Sequence, residues 1–222
     1  PGLFKDDVYV VGGRADAPAT GGGLALIRSD AIGDAVVFGK SLTSLARSRT
    51  DTPLTVICQE HLAELYRDRP EVSDIVTYDR KTLRENQTYQ VFLSKALAAR
   101  RFATAVNAVY SREEISDFLT LNTLAPERLA LREDPARLIN RADTGSDVHY
   151  TRLIDSPATW ETELRRHRDL LTGLGVTEPE VGPEIRPAAA DHAWAETFFR
   201  NSGLQPERTV LLACGAGSTR RL

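Results

Sequence analysis

The sequence predicts an α/β protein built on a parallel sheet. Short apolar runs, such as 24–28 and 54–58, have the composition of buried strands. Segments whose apolar residues have helical spacing follow them, as in 33–48 and 89–101. Strands that alternate with helices favour a parallel sheet, because a parallel connection needs a crossover and a helix is its usual form.

The first half of the chain repeats this alternation. After the first strand, apolar residues from Val36 to Leu45 have helical spacing. A second strand leads into the helical segment 61–68, and the polar run 79–86 follows a third strand. We therefore predict strands at 24–28, 54–58, 73–78, 104–110 and 127–132, and helices at 33–48, 61–68, 89–101 and 113–122.

The second half is less regular. The periodicity is lost over 133–156, which we predict to be a long loop. A helix follows at 158–173 and ends at the glycines that follow it, and its basic run 165–168 is interpreted as a solvated face. We predict a further helix at 188–203 and a strand at 209–213 that leads into a glycine-rich turn.

Composition divides the chain into four parts. Residues 1–23 contain a run rich in Gly and Ala and are predicted to be a flexible extension. Residues 24–176, which contain the alternating strands and helices, are predicted to form one α/β domain. The segment 177–187 has three prolines and no apolar period, which is typical of a linker. Residues 188–222 are expected to begin a second domain.

Composition also excludes several function classes. The net charge is −3, with 28 Lys and Arg interspersed among 31 Asp and Glu, so no nucleic-acid partner is predicted. The sequence lacks a run of about 18 apolar residues that would span a membrane. Cys58 and Cys214 lie in apolar runs, which indicates reduced thiols. The scattered histidines predict no metal site.

The turn after the first strand is the first candidate site. Asp30 follows that strand, and Gly33 and Asp34 are the first residues of the helix predicted after it. Ligands of open α/β sheets bind outside the carboxyl ends of the strands, so a carboxylate here is expected to face the binding crevice. An ionised aspartate at this edge is suited to act as a general base. The alternative is that one of the two aspartates only caps the helix.

The glycine-rich run 214–221 is the second candidate. Its glycines allow backbone N–H groups to approach a phosphate, and its hydroxyl and guanidinium groups can donate to phosphate oxygens. The pattern lacks the lysine of a P-loop and the third glycine of a dinucleotide fingerprint, so a plain turn is the alternative. The predicted donor-phosphate ligands are Gly217, Ser218, Thr219, Arg220 and Arg221.

The third candidate follows the fourth predicted strand. Ser111 and Arg112 lie there, on the same carboxyl edge of the sheet. The Arg112 guanidinium is suited to an anionic acceptor group. Ser111 and Glu114 also have the spacing of a capping box, which is the structural alternative.

The segments 24–37 and 209–221 together resemble glycosyltransferase family nine, which contains the lipopolysaccharide heptosyltransferases. The resemblance rests on a strand that ends in Arg28 and is followed by the Gly33-Asp34 pair, and on the glycine-rich run after the last predicted strand. It implies a GT-B architecture, in which 24–176 is the acceptor-side Rossmann-like domain. The second, donor-binding domain is expected to be largely absent from these residues, with 188–222 as its truncated start.

The resemblance further implies an inverting transfer without a metal or other cofactor. A sugar, heptose or a related one, moves from a nucleotide-diphosphate donor to a hydroxyl of a bacterial surface glycan. Asp34 matches the general base of the family, and 217–221 match its donor-phosphate loop. We assign Asp30, Gly33, Ser111 and Arg112 to acceptor binding.

Partners and location follow from the same resemblance. We expect a nucleotide-sugar donor, a glycolipid or oligosaccharide acceptor, and a cytoplasmic protein in peripheral contact with the inner face of the membrane. Two alternatives stay open. One is a non-catalytic module of the same fold that binds a glycan or a partner chain. The other is a different phosphate-binding α/β transferase that uses Arg220 and Arg221.

Overall fold

A computed structural model describes residues 22–132, 146–156 and 162–212 of the chain. The described part divides into two compact units, one ending at Ile185 and the other beginning at Arg186. The predicted extension 1–23 lies almost entirely outside the described residues. The predicted domain boundaries remain predictions.

The first unit is built on a six-stranded sheet with the order β3-β2-β1-β4-β5-β6. Every pair of neighbouring strands is parallel. The chain adds strands on one side of β1 and then on the other, so the order reverses between β1 and β4. The strands are β1 (Leu24–Arg28), β2 (Leu54–Gln59), β3 (Asp74–Tyr78), β4 (Thr104–Asn107), β5 (Glu127–Leu131) and β6 (Arg152–Ile154).

Helices cover both faces of the sheet, which confirms the predicted Rossmann-like α/β class. Successive residues of a strand point to opposite faces. Leu24 and Leu26 therefore belong to one buried apolar cluster, whereas Ala25 and Ile27 belong to the other. The helices of this unit are α1 (Ile32–Val37), α2 (Gly39–Arg47), α3 (Glu64–Arg67), α4 (Arg80–Glu85), α5 (Gln87–Ala99), α6 (Glu114–Asn122) and α7 (Glu163–Gly173).

The predicted helix 33–48 is two helices that meet at Phe38. An unbroken helix would use the Lys40 amide and the Val36 carbonyl as partners of each other. Here the Lys40 N–H donates to the Gly182 carbonyl at 3.0 Å, and the Val36 carbonyl accepts from the Glu184 N–H at 3.0 Å. The segment 182–184 is thus hydrogen-bonded into the break, and a contact remote in sequence splits the helix.

The structure adds a helix within the polar run 79–86, for which no element was predicted, and the prediction of a loop over 133–156 was wrong for its described residues. The polar run 79–86 contains α4, which is capped because the Asp79 carboxylate accepts from the Thr82 N–H at 2.7 Å. The predicted loop 133–156 contains a 3-10 turn at Ser146–His149 and strand β6. With three residues, β6 is too short to show a period and is defined by its pairing with β5.

The second unit contains α8 (Ala189–Asn201) and a 3-10 turn at Pro206–Arg208. The predicted strand 209–213 is described only as far as Leu212, and residues 209–212 are not in a strand. The backbone N–H and C=O groups of a strand need a neighbouring strand as partner. The described part of this unit contains no such strand. In the described ranges of both units, no helix combines the length and apolar character needed to span a membrane.

Candidate functional site

A cavity of about 480 Å³ opens at the carboxyl end of the sheet, where the strand order reverses. Its wall consists of residues at or after the carboxyl ends of the first four strands, together with Glu163 of α7. Ligands of open α/β sheets bind at this type of position. The polar residues that line the cavity include Ser29, Asp30, Asp34, Gln59, Arg80, Ser111 and Glu113.

Asp34 lies in the first turn of α1 and lines the cavity. Its side chain is exposed, and one carboxylate oxygen accepts from the Ala31 N–H at 3.3 Å. Ala31 is the N-cap residue of the helix. The helix-capping role and the position at the cavity therefore coexist, because a carboxylate has several acceptor positions and capping uses one of them.

Arg28 lies beneath this turn and is 1% exposed. Its Nη2 group lies 2.6 Å from the Asp30 carboxylate and donates to the Asp34 carbonyl at 2.9 Å. Nη1 donates to the Ala108 carbonyl, just after β4, at 2.7 Å. The guanidinium also lies 4.3 Å from the centre of the Phe38 ring. One side chain thus joins the end of β1, the start of α1 and the end of β4.

Asp30 contributes a second carboxylate to the cavity, and 15% of its side chain is exposed. Burial raises the pKa of Asp30 from 3.8 to about 6, although the Arg28 guanidinium opposes this rise. The Asp34 carboxylate adds a smaller repulsion that acts in the same direction as burial. Asp30 and Asp34 therefore differ in environment, since Asp30 is paired with a buried cation and Asp34 is exposed.

The cavity wall also contains polar residues that the sequence analysis did not select. Gln59 is the last residue of β2 and donates to the Ser29 and Asp30 carbonyls at 3.2 Å. Arg80, after β3, donates to the Ser29 carbonyl at 3.1 Å and pairs with Glu113 at 2.5 Å. Both side chains support the turn between β1 and α1. Their position directly after predicted strands was the available signal.

Ser111 lines the cavity as expected, whereas Arg112 is not among its lining residues. The Arg112 side chain is buried, is paired with Asp117 and Asp147, and lies 4.7 Å from the centre of the Tyr150 ring. The structure thus gives Arg112 an internal role, and we do not assign it to acceptor binding. A buried guanidinium is stable only with such partners.

The structural alternative for Ser111, a capping box with Glu114, was wrong because the helix begins later in the chain than that box requires. Helix α6 begins at Glu114, and its N-cap is Glu113. The Glu113 N–H donates to the Ser116 hydroxyl at 3.1 Å. Ser111 therefore precedes the helix start, which leaves it at the cavity wall.

Two residues of the predicted basic face 165–168 are buried instead. The Arg166 guanidinium lies 3.7 Å from the centre of the Tyr110 ring and donates to Glu163 at 3.0 Å. His167 packs edge-on against Phe38, and burial lowers its pKa. Glu163 thus reaches the cavity from α7.

The remaining predicted site residues are Gly33 and the run 217–221. Gly33 is exposed, and no atom lies within 4 Å of the place where a Cβ would stand. Residues 217–221, the predicted donor-phosphate ligands, lie outside the described residues. Among the side chains that the structure describes, no cluster of three or more His, Cys, Asp and Glu has a geometry that would hold a metal ion.

No protein-family model matches the chain, and a search of curated proteins finds no significant match. Solved structures do match. A family 9 glycosyltransferase from Veillonella parvula has a TM-score of 0.64 at 14% identity, over 82% of this chain and 50% of that one. The fold is that of family 9 glycosyltransferases.

Two E. coli structures are similar to this chain in fold as well. Heptosyltransferase WaaC, solved with ADP-2-deoxy-2-fluoro heptose, has a TM-score of 0.56 at 12% identity, over 80% of this chain and 54% of its own. ADP-heptose LPS heptosyltransferase II has a TM-score of 0.54 at 15% identity, over 84% and 52%. The chain therefore spans about half the length of the structures that it matches.

Proposed function

We propose that this chain is the acceptor-side part of an inverting glycosyltransferase, with Asp34 as its general base. The observation that carries the proposal is the position of the Asp34 carboxylate, which is exposed at a cavity where the strand order reverses. The matching folds are glycosyltransferases, and two of the matching structures contain ADP or an ADP-heptose analogue. A nucleotide-diphosphate sugar is accordingly the proposed donor, and heptose or a related sugar is the proposed group transferred.

The proposed reaction is a single displacement. An acceptor hydroxyl enters the cavity, and the Asp34 carboxylate accepts its proton while the hydroxyl oxygen bonds to the anomeric carbon. The bond from that carbon to the diphosphate oxygen breaks on the opposite side, so the configuration inverts and the nucleoside diphosphate leaves. The side chains and backbone N–H groups of 217–221 are proposed to stabilise the charge on the leaving diphosphate. No step uses a metal or a cofactor.

The acceptor is proposed to be a glycolipid or oligosaccharide of the bacterial surface. Asp30, Gly33 and Ser111 belong to the wall or the turn that such an acceptor would meet. The proposed location is the cytoplasm, in peripheral contact with the inner face of the membrane, where lipid-linked acceptors are accessible.

A binding module of the same fold is the second candidate, and the bond from the Ala31 N–H to the Asp34 carboxylate favours it. In that case Asp34 only caps α1. The two candidates differ in whether sugar transfer depends on the Asp34 carboxylate beyond its effect on stability.

The test uses the full-length gene product with nucleotide-diphosphate sugars that include ADP-heptose. Release of nucleoside diphosphate is measured with and without a glycolipid acceptor. Asp34→Asn is expected to keep donor affinity and to lower kcat by roughly 10²–10⁴-fold, the usual contribution of a general base. Near-normal turnover of this variant would remove the general-base assignment and leave the binding module.

Asp79→Asn is the matched control. Asp79 also caps a helix at the carboxyl edge of the sheet, where its carboxylate accepts from the Thr82 N–H at 2.7 Å, but it is not among the residues that line the cavity. Both substitutions therefore remove a negative charge from a helix N-terminus. Only the Asp34 variant is expected to lose turnover.

A further inference from the structure

The turn that carries Asp34 has little stability of its own. Helix α1 has six residues, too few for a stable helix without tertiary contacts. Its N-cap residue, Ala31, has no side-chain group that can accept a hydrogen bond. The position of the Asp34 carboxylate relative to the cavity must therefore be set by groups outside the helix.

The Arg28 guanidinium is a group outside the helix that contacts this turn. Its Nη2 donates to the Asp34 carbonyl at 2.9 Å, so the bond holds the main chain of the proposed base rather than its reactive carboxylate. The same carbonyl accepts the helical bond from the Phe38 N–H at 3.0 Å. Arg28 therefore restrains Asp34 without competing with the acceptor hydroxyl for the carboxylate.

The other end of the guanidinium bonds to the main chain just before the part of the cavity wall that follows β4. Nη1 donates to the Ala108 carbonyl at 2.7 Å, and the next three residues, 109–111, line the cavity. A planar guanidinium presents its N–H groups in a fixed fork. It can therefore act as a spacer of constant length between the β1 turn and the wall that follows β4.

The electrostatic environment supports a function for this buried cation. Asp30 pairs with Nη2 at 2.6 Å, and the Phe38 ring lies beneath the guanidinium. Burying an ion pair usually gives no gain in stability over apolar residues of the same volume. A buried guanidinium with three separate acceptors at a candidate active site is better explained by what it positions.

We propose that Arg28 is a positioning residue for sugar transfer, which holds the main chain of Asp34 at a fixed distance from the cavity wall after β4. This inference rests on the proposed role of Asp34 as general base. Arg28 touches neither donor nor acceptor in this scheme. Its removal is expected to lower kcat through misplacement of the Asp34 carboxylate and to leave the KM for the donor unchanged, because small displacements of a base are costly to the rate.

The experiment is a double-mutant cycle on the full-length gene product, read out as acceptor-dependent release of nucleoside diphosphate. Arg28→Met is expected to lower kcat by roughly 10–100-fold in the wild-type background. In the Asp34→Asn background it is expected to change kcat by less than about twofold, since groups that act as a unit are not additive. Arg28→Lys keeps the charge but lacks the fork, so its kcat is expected to lie between those of Arg28→Met and the wild type. If Arg28→Met does not fold, the same cycle is run with Arg28→Lys.

Chemical rescue separates positioning from general stability. Guanidinium ions added to Arg28→Ala at concentrations below those that unfold the protein are expected to restore kcat by about tenfold, because they can occupy the vacated site between the same acceptors. Arg69→Met is the matched control. Arg69 is also buried and donates to a main-chain carbonyl, that of Gly39, at 3.2 Å, but the residues to which its guanidinium donates do not line the cavity. Its variant is expected to lose stability, to keep the kcat of the folded protein, and to show no rescue.

The outcomes distinguish the two proposals. Normal turnover of Asp34→Asn alone overturns the proposed function, whatever Arg28 does. Loss of turnover in Asp34→Asn, together with an equal loss from Arg28→Met in both backgrounds, overturns the positioning role and leaves the proposed function intact. Absence of guanidinium rescue in a folded Arg28→Ala variant also overturns the positioning role.

Discussion

Replacing Gly39 with alanine tests whether the segment 182–184 is firmly bound in the break between α1 and α2. An alanine Cβ at this position would lie 2.5 Å from the Glu184 carbonyl oxygen and 2.8 Å from the Glu184 backbone nitrogen. These are main-chain atoms, so no side-chain rotation relieves the overlap. Either the segment moves away from Gly39 or the start of α2 is distorted.

The expected cost follows from the bonds that such a shift disrupts. The Glu184 N–H donates to Val36 and the Lys40 N–H to Gly182, each at 3.0 Å. Each main-chain bond is worth about 1 kcal/mol net, and residual overpacking adds about 1–2 kcal/mol. The better helix propensity of alanine offsets up to about 1 kcal/mol. We therefore expect Gly39→Ala to lower the free energy of unfolding by about 2–4 kcal/mol.

Equilibrium urea unfolding measures this loss, and limited cleavage by a glutamate-specific protease reports on the bond after Glu184. Cleavage there is expected to accelerate in the variant. Gly33→Ala is the control, because Gly33 is also in a helix but its Cβ would meet no atom within 4 Å. It is expected to be neutral or slightly stabilising. Equal stability and equal cleavage of Gly39→Ala and wild type would refute the close contact.

Two pH-dependent predictions concern buried titratable groups. The folded-state pKa of Asp30 is raised from 3.8 to about 6, so wild type should lose stability relative to Asp30→Asn as the pH rises from 4 to 6.5, by an amount on the order of 2–3 kcal/mol. A pH-independent difference between their urea midpoints would contradict this. The pKa of His167 is lowered by burial, so its stabilising effect is present above pH 6.5 and is lost on acidification. His167→Leu should therefore lose less stability than wild type below pH 6.5 in thermal melts, and equal losses would refute the assignment.

The candidate base could be predicted from the sequence because its position depends on neighbours in the chain. A strand that ends at Arg28 and is followed by a turn and a helix places Asp34 at the carboxyl edge of any parallel sheet. The direction of Arg112 could not be predicted in this way. Arg112 lies at the same edge, but its side chain is buried because it forms ion pairs with Asp117 and Asp147.

The rest of the cavity wall depends on contacts between distant segments. Gln59 and Arg80 reach the β1 turn because β2 stands beside β1 in the sheet and β3 stands next to β2. Glu163 reaches the cavity because Arg166 and His167 bury the adjacent face of α7. Helical periodicity could not show that Arg166 and His167 are buried, because basic residues on a solvated helix face have the same spacing.

The sequence by itself determined the class of fold, most of the strands of the sheet and the turn that carries Asp34, since these follow from local periodicity and from turn residues. Only the tertiary structure decided the break at Phe38, the pairing of β6 and the bonds of the Arg28 guanidinium. Each of these requires a partner that is distant in sequence, such as Gly182, β5 or Ala108. Hydrogen bonds between remote groups have no period along the chain, and they form only when the sheet brings those groups together.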